Sequence, residues 1–148
     1  MIDDIAGNAA NFSKSLESLC DYVNGSVEKV IRKACIDLYR KIVERCPVDT
    51  GRAKANWQIS TTYSDYVRGD NDGFSFNEIK TIVEDEISDF KFELHDDVVI
   101  IYNNLEYIEQ LENGSSQQAP SGMVSVSLVE FTDHFNRALI GLRGLEPA

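Results

Sequence analysis

The chain has 148 residues, 43% of them hydrophobic, which fits one globular domain built around one core. Twenty-five acidic against fourteen basic residues give a formal charge of -11, which opposes non-specific nucleic-acid binding because phosphate contacts need Lys and Arg. No apolar run approaches the roughly 20 residues that span a bilayer, and Met1-Ile2-Asp3-Asp4 lacks the features of a signal peptide; the expectation is synthesis in the cytosol and no membrane partner.

Ile5, Ala9, Phe12, Leu16, Leu19 and Val23 are spaced alternately by four and three positions and predict an amphipathic helix over residues 1–24. It can pack on its own domain or lie on a neighbouring subunit. Asn24-Gly25-Ser26 reads as an interruption, with Ser26 the N-cap of a second helix whose stripe runs through Val27, Val30, Ile31, Ala34, Leu38 and Ile42 and stops at Cys46. Pro47, Val48, Asp49, Thr50 and Gly51 then make a fixed corner, since proline removes a backbone donor and Asp, Thr and Gly close turns with their side chains or with positive φ. The small residues Ala53 and Ala55 allow a close approach before Trp57, expected as an anchor in the core or at an interface.

From Trp57 to Tyr63 bulky and polar residues alternate, which predicts a half-buried strand. Residues 65–73 are dense in Asp, Asn and Gly and read as a solvated loop. Ser75 with Glu78 fits a capping box, followed by Ile79, Ile82, Val83 and Ile87 on one face of a short acidic helix. Phe90-Lys91-Phe92-Glu93-Leu94, the turn residues His95-Asp96-Asp97, and Val98-Val99-Ile100-Ile101-Tyr102 predict an antiparallel hairpin. A helical turn over residues 105–111 closes at Asn113-Gly114, and a last helix begins near Pro120 with Val124, Leu128, Phe131, Phe135 and Leu139 on one side. The order predicts a single α+β domain, residues 1–148: a small antiparallel sheet with long N-terminal and C-terminal helices packed on it, 1–24 being the N-terminal helix and 25–148 the core.

Signals for chemistry are weak. Cys20, Cys35 and Cys46 form no CxxC pair and read as small packed thiols. His95 and His134, with Asp96, Asp97 and Asp133, are explained by a charged turn and a solvated helix face as well as by an acid-base or metal role. Glu84, Asp85, Glu86 and Asp89 lack the spacing of a calcium loop. There is no nucleophile elbow, P-loop, dinucleotide fingerprint or HExxH, and neither cofactor nor metal is expected. Polar, turn-rich stretches at 48–52 and 113–122, with no catalytic constellation beside them, suggest contacts with other protein chains.

At those stretches the chain resembles a known family. Pro47-Val48-Asp49-Thr50-Gly51-Arg52-Ala53 with Asn56-Trp57, then Asn103-Asn104-Leu105 with Tyr107 and Ile108, then Leu111-Glu112 with Gly114, Ser116, Gln118-Ala119-Pro120 and Gly122-Met123, look like the neck and tail-completion proteins of tailed bacteriophages, also called head-tail joining or minor tail proteins. The likeness runs in order from about Val27 to Phe131, with Glu106 where the family often has proline, Ser115 where it often has an aromatic residue, and a variable acidic segment at 65–89.

The resemblance implies a non-enzymatic virion protein, a homo-oligomeric ring at the head-tail junction that meets portal or head-completion proteins and tail-tube or tail-terminator proteins. It would reside in the virion, and in the host cytoplasm during assembly. Carried over by position, Asp49, Thr50, Gly51, Arg52 and Trp57 on one side and Tyr107, Glu112, Gly114, Gln118 and Pro120 on the other are the expected subunit contacts. Composition adds that Glu84, Asp85 and Glu86 facing a ring lumen would repel DNA phosphates and let the genome slide without sequence-specific binding. The competing readings are a tail terminator capping the tube, a cytosolic adaptor using the stripe from Ile5 to Val23, and a small metal-dependent hydrolase using His95 and His134.

Overall fold

Helix α1 spans Ile2–Arg45. Its apolar positions Ile31, Ala34, Cys35, Leu38, Tyr39, Ile42 and Val43 fall at helical spacing and turn one face toward the core. The helix runs through Asn24-Gly25-Ser26, where an interruption was expected. A helical glycine costs about 1 kcal/mol relative to alanine, and the apolar stripe crosses the site in phase from Val23 to Val27 and Val30, so the local weakness does not break the helix. What ends it is Pro47, which has no N–H to donate and disfavours helical geometry at Cys46; the Cys46 N–H still reaches the Ile42 carbonyl at 3.0 Å.

The computed structural model describes residues 2–143 except Thr50, 71–72, Asp97, Ser115 and Pro120; side chains of α1 are described at Asp21 and from Gly25 onward, and those of the last helix as far as Arg137 without His134.

After the corner the chain makes one short helix before any strand: α2, Arg52–Ala55. Gly51 starts it at φ 80°, and a Cβ there would lie 2.5 Å from the Phe74 carbonyl oxygen, so only glycine allows this approach. Strand β1 covers Gln58–Ser60, shorter than the expected 57–63. It pairs antiparallel with β2, Ile100–Tyr102, in the register Gln58↔Tyr102, Ile59↔Ile101, Ser60↔Ile100. Trp57, just before β1, is 4% exposed and belongs to the core rather than the surface.

Helix α3, Phe76–Asp89, begins with the expected capping box: the Ser75 hydroxyl accepts the Glu78 N–H at 3.2 Å while the Glu78 carboxylate accepts the Ser75 N–H at 3.4 Å. Ile79 is buried and Ile82, Val83 and Ile87 pack against the core. The hairpin expected over 90–102 is not formed. The turn is there, with the Asp96 N–H on the Glu93 carbonyl and the Glu93 N–H on the Asp96 carboxylate, and Phe90 and Phe92 are buried together as alternation requires. The ladder of β2, however, goes to β1 about forty residues earlier, because burying Ile59 beside the core gains more than closing a local two-stranded ribbon, which is marginal alone.

Helix α4, Ile108–Glu112, ends at Asn113 and Gly114, the glycine at φ 89° as a left-handed cap demands. Helix α5, Val124–Arg143, starts four residues after Pro120. Arg45 ties α1 to α5 through the Ser127 hydroxyl at 2.9 Å and the Glu130 carboxylate. The architecture is α+β, with a two-stranded antiparallel sheet set among helices.

Candidate functional site

The two polar stretches singled out in the sequence meet in space. Gln118 accepts the Val48 N–H on Oε1 at 2.8 Å and donates from Nε2 to the Val48 carbonyl at 3.1 Å. Around this contact lies a cleft of about 640 Å³ whose walls include Asp49, Gly51, Arg52, Tyr107, Leu111 and Gln118. Partial burial raises the Tyr107 phenol above its ordinary value; the Arg52 guanidinium lowers it, and Cys46 and Asp49 raise it again. Asn103 joins α2 to the segment before α4: its Nδ2 donates to the Ala53 carbonyl at 2.9 Å and its Oδ1 accepts the Leu105 N–H.

Glu112 and Gly114 do not line the cleft. The Glu112 carboxylate caps α5: Oε2 accepts the N–H groups of Met123 and Val124 at 3.0 and 2.8 Å, and Oε1 accepts the N–H and hydroxyl of Ser125 at 2.9 and 2.7 Å. Desolvation alone would raise its carboxyl, but the hydrogen bonds from Val124, Ser125 and Met123 outweigh it and hold the group below the usual carboxylate range. Helix N-termini leave donors unsatisfied and favour negative charge, so a carboxylate from the preceding helix does the work usually done by a local Ser or Asp. Gly122, at φ 81°, makes room; a Cβ there would sit 2.5 Å from the Glu112 carbonyl oxygen and 2.6 Å from Oε1.

Of the expected contact residues, then, Asp49, Gly51, Arg52, Tyr107 and Gln118 share one cleft, Glu112 caps α5, Gly114 closes α4, Trp57 lies in the core, and Thr50 and Pro120 fall outside the described residues. The acidic set divides. Glu84 and Asp85 are exposed on α3. Glu86 is not a free lumen carboxylate: its side chain is 15% exposed, Oε1 pairs with Arg68 at 2.7 Å and Oε2 accepts the Ile59 N–H at 3.1 Å. It braces β1 and the loop against α3.

That loop carries residues the sequence reading missed. Residues 63–68 cross the sheet with no ladder of their own, held by side-chain amides. Asn56, 1% exposed, accepts the Arg68 N–H at 2.6 Å and donates to the Arg68 carbonyl at 3.1 Å. Gln58 donates to the Tyr66 carbonyl, and Asn104 donates to the carbonyls of Ser64 and Tyr66 at 2.8 and 2.9 Å while accepting the Tyr63 hydroxyl. Period-two alternation puts Gln58 on the solvent side; it is buried because the loop folds over it.

Cys35 and Cys46 are free, buried thiols. Burial pushes both up, opposed at Cys46 by the Trp57 indole and Lys54, which leaves them protonated packing groups. His95 is exposed beside Glu93 and Asp96, its Nδ1 3.0 Å from the Glu93 carboxylate. The side chains of Cys20 and His134 lie outside the described residues. Among the described residues no group of three or more His, Cys, Asp or Glu side chains is placed to hold a metal, and no helix is long and apolar enough to cross a membrane. Comparison with protein-family models, with curated proteins and with solved structures found no match to this chain.

Proposed function

We propose that the chain is a non-enzymatic structural subunit of a tailed-phage virion, forming a ring at the head-tail junction that joins head to tail and passes DNA through its lumen. The observation that carries the reading is the Gln118–Val48 contact, which gathers the two motif-bearing stretches into one rigid surface, as a subunit-contact site requires. The cleft beside it combines Tyr107 and Arg52, residue types enriched where proteins bind one another. In this reading the partners are further copies of the chain, portal or head-completion proteins, and tail-tube or tail-terminator proteins. The long terminal helices lie on the sheet or against a neighbouring subunit, and the lumen charge falls to Glu84 and Asp85.

The test is native mass spectrometry of the purified protein, alone and mixed with portal complexes or tail tubes of the same phage. A closed ring in either sample is the expected result, and the platform that nucleates it tells neck completion from tail capping. A monomer that ignores both platforms overturns the reading.

A further inference from the structure

An apolar groove of about 360 Å³ opens where α1, the corner and the start of α3 meet, floored by Val43, Ile79 and Val83. Two side chains at its mouth have no business in water: Phe76 is 80% exposed and Val48 is 48% exposed. Arg40, Lys54 and Lys80 stand around it against Glu44 and Glu84, so its rim is net positive on a chain whose formal charge is -11. At the far end of α3 the chain offers the complement. The turn that begins four residues after Asp89 exposes Leu94 beside the Glu93 carboxylate, with His95 against it, Asp96 half-buried with Oδ2 on the Glu93 N–H, and Val98 also exposed beyond it.

We infer that this groove receives the turn at Glu93, Leu94, His95 and Asp96 of a second copy of the chain, Leu94 entering beside Phe76 and the carboxylates meeting Arg40, Lys54 and Lys80. The last groove residue, Glu84, is five residues of α3 or about 8 Å from the helix end at 1.5 Å per residue, and Phe90 and Phe92, buried in the core, fix the chain between that end and the turn, so a chain does not fill its own groove. The two surfaces differ, which makes the contact head-to-tail; repeated around a closed rotation it builds a ring, and without closure a filament. Charge selects the occupant, since an acidic turn is attracted to a rim that carries Arg40, Lys54 and Lys80 against Glu44 and Glu84, on a chain whose formal charge is -11. The inference rests on the ring reading for its setting but not for its chemistry.

Two single-cysteine additions test it, Lys80→Cys and Glu93→Cys, each in the otherwise intact chain and mixed one to one under mild oxidation. The mixture should give a disulfide-linked dimer in several-fold higher yield than either variant alone or than Lys80→Cys mixed with Ser125→Cys; a yield no better than that control overturns the inference. Leu94→Asp and Lys80→Glu should each weaken self-association about tenfold or more, and Lys80→Glu combined with Glu93→Lys should recover most of it. All these positions are exposed, and circular dichroism checks that the variants fold. A ring that assembles unchanged from Leu94→Asp sinks this contact and leaves the ring reading standing. Crosslinking without any ring on either platform keeps the contact and sinks that reading. Groove occupancy by portal or tail proteins instead of a second copy, seen as crosslinking of Lys80→Cys to them alone, also counts against it.

Discussion

Gln118 holds Val48 by both of its main-chain groups, across 70 positions of sequence. A side-chain amide in this pose stands in for one rung of a β-ladder, offering one acceptor and one donor to a single residue. Asn56 does the same for Arg68. The corner after α1 and the loop over the sheet are both fixed in this way, without strand pairing.

Replacing Gln118 separates the two groups. Gln118→Glu keeps an acceptor for the Val48 N–H and loses the donor, while Gln118→Ala loses both. Because the site is exposed, global stability should fall by only about 1 kcal/mol or less. Amide exchange at Val48 should accelerate on the order of tenfold in the alanine variant as the corner opens locally. An unchanged Val48 rate would mean that Pro47 and Gly51 fix the corner alone.

Glu112 supplies a stability term with a defined sign. Its folded carboxyl lies below the ordinary value of 4.5, so its contribution is fully present above that pH and is lost as pH falls through the lower folded value. Glu112→Ala should cost about 1–2 kcal/mol, as loss of a helix N-cap does. Urea unfolding followed from about pH 6 down to about pH 3 should show the difference between wild type and variant shrinking toward the acid end. A constant difference would assign the loss to packing.

The glycines divide by geometry. Gly122→Ala and Gly51→Ala force a Cβ into left-handed backbone and within 2.6 Å of fixed oxygen atoms, and should each destabilise by about 2 kcal/mol or more. Gly25→Ala has nothing within 4 Å of the new Cβ and sits in helix, so it should stabilise by about 0.5–1 kcal/mol. Denaturant midpoints of the three variants decide the matter; a destabilised Gly25→Ala would argue against a continuous α1.

Charge reversal on α3 should give two distinct phenotypes. Glu86→Lys breaks the Arg68 pair and strips the Ile59 N–H of its acceptor, with an expected loss of about 2–3 kcal/mol. Glu84→Lys and Asp85→Lys should fold within about 0.5 kcal/mol of wild type, as exposed substitutions do. Under the proposed virion role, Asp85→Lys should slow DNA ejection without blocking assembly if it faces the lumen, whereas Glu84 also lines the groove at the start of α3; unchanged ejection would remove Asp85 from the lumen.

Local signals in the sequence held at several places where one side chain decides the backbone, and failed at Ser26, expected as an N-cap but found inside α1. The Ser75–Glu78 capping box, the stop at Pro47, the left-handed Gly51 and Gly114, and the apolar face of α3 all form as their residues demand. Pairing between distant segments was not legible, because Phe90 to Leu94 and Trp57 to Tyr63 both carry strand alternation and nothing local says which one β2 takes. Nor was the role of Glu112, since a carboxylate at the end of α4 gives no hint that it reaches the next helix. The cleft was legible only as two separate polar stretches; the amide joining them shows itself once the chain is folded.

The loop at 63–68 is gripped through its carbonyls at Ser64 and Tyr66 and through both main-chain groups of Arg68, by amides that belong to other segments. Those grips use main-chain groups and not the exposed side chains at Asp65, Tyr66 and Val67, of which Tyr66 carries the Arg68 guanidinium 5.7 Å from its ring centroid. A lineage could therefore rewrite the outer face of this loop, and with it whatever the loop touches, while Asn56, Gln58 and Asn104 preserve its path. The same separation would let an engineer graft a short recognition sequence there without redesigning the scaffold beneath.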